Sequence, residues 1–190
     1  MSRPTKEEAE KAVRTLIQWA GDDPYRSGLA DTPRRVIESY KEFFKGHNDD
    51  VESILGKTFD DVKSFNDFII LKGIRFTSFC EHHILPIMGY VDVAYLPNKK
   101  VVGISKIARV VNAFSHRLQI QERFTSQIGD AIQKHLKPRG VAVYASANHQ
   151  CMTIRGVNKD SVLMDTYHYT GKFTQDEKLR ERFISSIIKK

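Results

Sequence analysis

FIILKGIRFTSF, residues 68–79, decides the fold. Upstream the apolar residues recur at helical spacing. Here β-branched and aromatic residues crowd together, which is the composition of a strand. GYVDVAYLP, residues 89–97, then alternates through Val91, Val93 and Tyr95, so a second strand is expected, antiparallel to the first across the Cys80–Pro86 connection. From Ser105 to Leu136 the helical period returns, and two helices are expected with a break near Leu118. GVAVYASANHQCMTI (140–154) alternates again, with SVLMDTYHYTG (161–171) as its hairpin partner. Thr174 with Glu177 three residues on is expected to start a last helix through Phe183 and Ile187. The order is β-β-α-α-β-β plus a terminal helix, an α+β pattern assigned to residues 63–190.

Residues 1–62 read as a preceding helical segment. Thr5 and Glu8 form a capping box, and Ala9, Ala12, Val13, Leu16, Ile17 and Ala20 recur at helical spacing. GDDPYRSG (21–28) interrupts the pattern. Thr32-Pro33 is expected to supply an N-cap and a first-turn proline, with Val36, Tyr40, Phe43 and Phe44 as the next apolar stripe and Gly46 as its stop. No solenoid repeat or low-complexity stretch is present.

A chain of 190 residues can bury one sizeable core. No apolar run approaches a membrane span, and the start reads as helix rather than as a secretory leader, so a cytoplasmic protein with reduced thiols is expected. The net charge of +7 is uneven. Residues 1–62 hold 10 basic and 13 acidic side chains, and residues 63–190 hold 20 and 10, so the second part is the one suited to an anion. A solvated basic face accounts for the same numbers.

The two cysteines each have histidine company: CEHH gives Cys80, His82 and His83, and HQC gives His149 and Cys151. Thiolate and imidazole are the ligands zinc prefers. Residues two apart in a strand share a face, so His149 and Cys151 are expected to point into the same space, and Arg155 keeps their parity. His82 and His83 are adjacent and would diverge, so one of them is expected to ligate. Three arrangements fit: two thiolates and one imidazole with an open fourth position, a closed site with two imidazoles, or two unrelated buried cysteines.

GISKIAR places Ser105, Lys106 and Arg109 at a helix N-terminus, where free backbone N–H groups and the dipole favour phosphate. In QIQERF, Glu122 could accept the paired N–H groups of a guanine edge beside Gln121. Taken alone, each of these residues reads as an ordinary surface cation or a solvated helix face; their coincidence with the Cys/His clusters is what points to a site.

GDDPYRSGLADTPRRV (21–36), SFCEHH (78–83), VVGISKIARVV (101–111), RLQIQERFTSQI (117–128) and HQCMTIRGV (149–157) together resemble GTP cyclohydrolase I. That family consists of zinc enzymes that open the imidazole ring of GTP to give 7,8-dihydroneopterin triphosphate and formate, a product from which folate and other pterins branch. The resemblance implies that Cys80, His83 and Cys151 hold Zn2+ in an open site and that His82 and His149 move protons. It implies triphosphate contacts for Ser105, Lys106, Arg109 and Arg155, with Ser105 also near the ribose and a candidate proton relay. Gln121 and Glu122 look like the guanine-recognising pair. The implied fold is the tunnelling fold, with strands shared in pentameric barrels, two of which stack into a decamer with active sites at subunit contacts. Neither nucleic acid nor membrane is an expected partner. Two competing readings are a zinc-stapled basic module that holds a polyanion and a family member without activity. The second is suggested by NKDSVLMDTYHYTGKF (158–173), where Met164, Tyr167, His168 and Tyr169 are bulkier than the small hydroxyl residues the family tends to carry.

Overall fold

The capping box at Thr5 and Glu8 forms as expected: Glu8 N–H donates to the Thr5 hydroxyl at 3.2 Å, and Thr5 N–H donates to the Glu8 carboxylate at 2.8 Å. It opens α1 (Lys6–Trp19) in a computed structural model that describes residues 3–59 and 66–188. The chain divides into two compact units, Met1–Lys45 and Gly46–Lys190. The boundary expected between residues 62 and 63 lies outside the described residues. In the first unit α1 is followed by α2 (Thr32–Phe43). Thr32 is not its N-cap. Asp31 takes that position without a capping bond to a backbone N–H, its carboxylate pairing with Arg34 and Arg35 instead; Thr32 and Pro33 lie in the first turn, and the helix stops at Phe43 rather than Gly46.

The second unit begins with α3 (Val51–Leu55) and β1 (Thr58–Phe59). It continues with β2 (Ile69–Cys80), β3 (Pro86–Leu96), β4 (Val101–Val102), α4 (Ile104–Ser115), β5 (Leu118–Gln119) and α5 (Gln121–Leu136). β6 (Gly140–His149), α6 (Gln150–Thr153), β7 (Met164–Gly171), α7 (Lys172–Gln175) and α8 (Glu177–Ile188) complete it. The five-stranded sheet has the order β5-β2-β3-β6-β7, and β1 pairs with β4 separately. This is the β-β-α-α-β-β order expected from the sequence, with α8 appended. The start of α8 differs from expectation: Leu179 N–H donates to the Asp176 carboxylate at 3.0 Å, whereas the Thr174 hydroxyl turns back to the Gly171 carbonyl at 2.7 Å.

Alternation along the strands builds the two apolar layers. Val91, Val93 and Tyr95 of β3 and Val141, Val143, Ala145 and Ala147 of β6 face the core formed with α4 and α5. The intervening Ala94, Leu96 and Ala142 meet Phe173, Leu179, Phe183 and Ile187 on the other side. Phe76 and Phe124, both nearly fully buried, stack with ring centroids 4.6 Å apart under the end of the sheet that carries Cys80. In β2 the register shifts between Leu71 and Ile74, Gly73 adopts φ +70°, and its N–H donates to the buried Asp92 carboxylate. That bond gives Asp92 a partner for its charge inside the sheet.

The bulky residues of β7 are accommodated. His168 lies over Gly129 of α5, where an added Cβ would meet the ring at 2.5 Å, and its Nε2 pairs with the Asp130 carboxylate at 2.8 Å. Tyr167 packs on Tyr144 at 4.9 Å, and Tyr169 meets Phe183 edge-on at 6.3 Å.

Gly89 of β3 lies opposite Ala147 of β6, beside the strand ends that carry the histidines and cysteines. A Cβ there would meet the Ser146 carbonyl oxygen at 2.0 Å and the Ala147 Cα at 2.7 Å, both backbone atoms that cannot turn aside. Gly89→Ala is expected to destabilise by about 3 kcal/mol, the upper end for overpacking. A drop in Tm of roughly 6–12 °C in calorimetry is the corresponding signal for a chain of this size. Gly56→Ala, whose Cβ comes no closer than 3.4 Å to a neighbour, is the control expected to change little.

Candidate metal centre

Cys80 ends β2, and its position is set from two sides. β5 pairs in parallel with β2 there, Phe79 opposite Leu118 and Cys80 opposite Gln119. Beyond it the chain makes a tight turn in which Cys80 N–H donates to the Leu85 carbonyl at 2.8 Å and Ile84 N–H donates to the Cys80 carbonyl at 2.8 Å. The turn holds Ile84 at φ +54°, a left-handed conformation that costs a β-branched residue on the order of 1–3 kcal/mol. Glu81 within this turn pairs with Arg123 of α5. Arg123 Nε also donates to the Gln119 amide oxygen at 3.2 Å, and Gln119, itself buried, donates onward to the Phe114 carbonyl and to Gln127. This buttress escaped sequence reading. The only signals were that Glu81 sits inside CEHH and that Arg123 follows Gln121 and Glu122.

Cys151 reaches the same place by a route the strand pattern did not predict. β6 ends at His149, and Cys151 lies on the helical turn α6, so the strand parity assumed for Cys151 and Arg155 does not hold. β3 pairs with β6 so that Ile87 faces His149, which brings α6 beside the Cys80 turn. One ligand atom each from Cys80, His83 and Cys151 then lies within 4.8 Å of the other two, although 71 residues separate the thiols. His83 Nδ1 is 3.8 Å from Cys80 Sγ. Two ligands on one tetrahedral zinc, with Zn–S about 2.3 Å and Zn–N about 2.1 Å, stand about 3.6 Å apart, so this donor set fits the ion. Burial, and then the neighbouring Cys80, push the Cys151 thiol pKa up. A divalent cation relieves that cost by binding both sulfurs as thiolates.

His82 keeps Nδ1 at 3.7 Å from Cys80 Sγ with its ring nearly perpendicular to that of His83, yet it is not one of the three converging donors. A cleft of about 180 Å³ opens beside the group, lined among others by His82, Gln121, Glu122 and His149. Glu122 is exposed. His149 is half-buried, and that burial pushes its pKa down while Glu122 opposes the shift. Arg155 reaches in from beyond α6, its Nη1 3.1 Å from His83 Nε2.

Gln121 does not stand free toward the cleft. It is 1% exposed, and its amide is bonded to His149, Ala145, Met164 and Thr166.

Ser105, Lys106 and Arg109 are not brought to this cleft. They lie in the first turns of α4, which begins after β4, near the Leu96 end of β3, whereas the thiols stand at the Ile87 end. Those ends are about 30 Å apart at the usual rise per strand residue. Ser105 and Arg109 are exposed there and Lys106 is half-buried.

Fold and site together define an α+β protein with a Cys-His-Cys group able to hold a transition-metal ion beside a small polar cleft. The GTP cyclohydrolase I family model matches residues 9–188, and the chain belongs to that family. It is 55% identical over 190 residues to the GTP cyclohydrolase 1 of Rickettsia felis, covering all of both chains. It is 54% identical to that of Rickettsia bellii, covering 100% of this chain and 99% of the relative. The Rickettsia akari protein of the same name is also 54% identical over full length.

Proposed function

We propose that this protein is a zinc-dependent GTP cyclohydrolase that opens the imidazole ring of GTP, releasing formate and 7,8-dihydroneopterin triphosphate. The observation that carries the reading is the convergence of Cys80, His83 and Cys151 beside a cleft lined by His149 and Glu122. Cys80, His83 and Cys151 would hold the zinc, which when bound supplies Lewis-acid chemistry. His149, whose pKa burial lowers, exchanges a proton with a purine nitrogen, and His82 is a second proton carrier near the thiols. Glu122 accepts the N1–H and N2–H groups of guanine, and Arg155 contributes positive charge for the triphosphate.

The remaining anion contacts, Ser105, Lys106 and Arg109, come in this reading from a neighbouring copy of the chain. Their distance from the thiols along one sheet supports this, as does the family's shared-strand assembly, for which a decamer of two pentamers in the cytoplasm is the expected form. Incubation with GTP is expected to yield formate and, after oxidation, a fluorescent pterin. Mixed oligomers of Lys106→Ala and Cys151→Ser chains are expected to regain activity that neither variant has alone. Salt-sensitive binding of a polyanion without formate release would favour a basic binding module instead. Metal retention without turnover would identify a family member that has lost its activity.

A further inference from the structure

The bonds around Gln121 form a circuit in which the orientation of the amide can be assigned. Its amide nitrogen faces two backbone carbonyls, Ala145 O at 3.0 Å and Met164 O at 2.7 Å, and carbonyls only accept. The nitrogen also reaches the Thr166 hydroxyl at 3.2 Å. Thr125 donates to the Gln121 backbone carbonyl at 2.8 Å. The 2.6 Å bond between the two threonines is therefore donated by Thr166. The orientation of the amide follows: its nitrogen side is committed to β6 and β7, and its oxygen must be the atom 2.8 Å from His149 Nε2. An amide oxygen cannot donate, so that ring nitrogen carries a proton.

Resting on the function proposed above, we infer that Gln121 is a positioning residue: it holds the proton of His149 on Nε2 and leaves Nδ1 as the only acceptor of the ring. The amide nitrogen has no proton left over for guanine and the side chain is buried, so base recognition falls to Glu122. Through Met164 and Thr166 the same circuit ties His149 to β7, which gives that edge strand a bearing on the chemistry although it contributes no reacting group.

Two measurements test this. Solid-state 15N NMR of the zinc-loaded wild-type protein, with histidine labelled and His149 assigned by difference against His149→Ala, is expected to show the Nε2–H tautomer. The Nδ1–H tautomer or an even mixture overturns the inference. Gln121→Met is expected to lower kcat by about 10- to 100-fold, the usual effect of losing an orienting partner, with KM for GTP within about twofold of wild type. A tenfold rise in KM with kcat preserved would place Gln121 on the base and overturn the inference. If Gln121→Met does not fold, the wild-type tautomer alone decides. The NMR arm needs no turnover, so an inactive wild-type protein with the Nε2–H tautomer would overturn the proposed function and leave this inference standing.

Discussion

Cys151→Ser is expected to lose its zinc and its turnover together. Apparent zinc binding of about 10–16 kcal/mol in four-ligand structural sites corresponds to about 3 kcal/mol per ligand, a factor of about 100–1,000 in affinity. Three donors converge here among the described residues, so the loss of one leaves two, Cys80 and His83, on a single turn of chain. Serine cannot replace the thiolate, because a hydroxyl does not deprotonate near neutrality. The substitution itself is mild: Cys151 is only half-buried and lies outside the regular strand. Melting of the zinc-free wild type and of the variant is therefore expected to coincide, while metal content after dialysis and formate release both collapse. A variant that turns over GTP at the wild-type rate without bound metal would refute the ligand assignment.

His149→Ala should separate the two properties that Cys151→Ser removes together. His149 is not one of the three converging donors, and its Nε2 is spent on Gln121. Zinc content is therefore expected to stay at one per chain. Turnover is expected to fall by about 100- to 10,000-fold, the range for removal of a positioned proton-transfer group. In the proposed function Glu122 and the cations hold the base and the triphosphate, so binding of GTP should change little. Loss of zinc from His149→Ala would mean a closed two-thiolate, two-imidazole site, a structural centre with no place for substrate chemistry.

The β-β-α-α-β-β order was legible because each element carries its own local pattern. The alternation of Val91, Val93 and Tyr95 buries one face of β3 and needs no knowledge of what lies against it. The bulge at Gly73 was not legible, since its reason is Asp92 on the neighbouring strand. Helix starts were read one residue off at Asp31, which makes no capping bond, and two off at Asp176, whose carboxylate accepts from Leu179 N–H.

Two Cys/His clusters, a basic second part of the chain and the alternation of the elements can all be read without a structure. These are properties of residue type and short-range spacing. Tertiary structure alone decided which donors meet: strand register sets Ile87 against His149, and a helical turn instead of a strand carries Cys151 to Cys80 and His83. It also turned Gln121 inward to His149 and put Ser105, Lys106 and Arg109 at the far end of the sheet. Those outcomes depend on contacts between residues 28 to 71 positions apart, and local propensity carries no information over such separations.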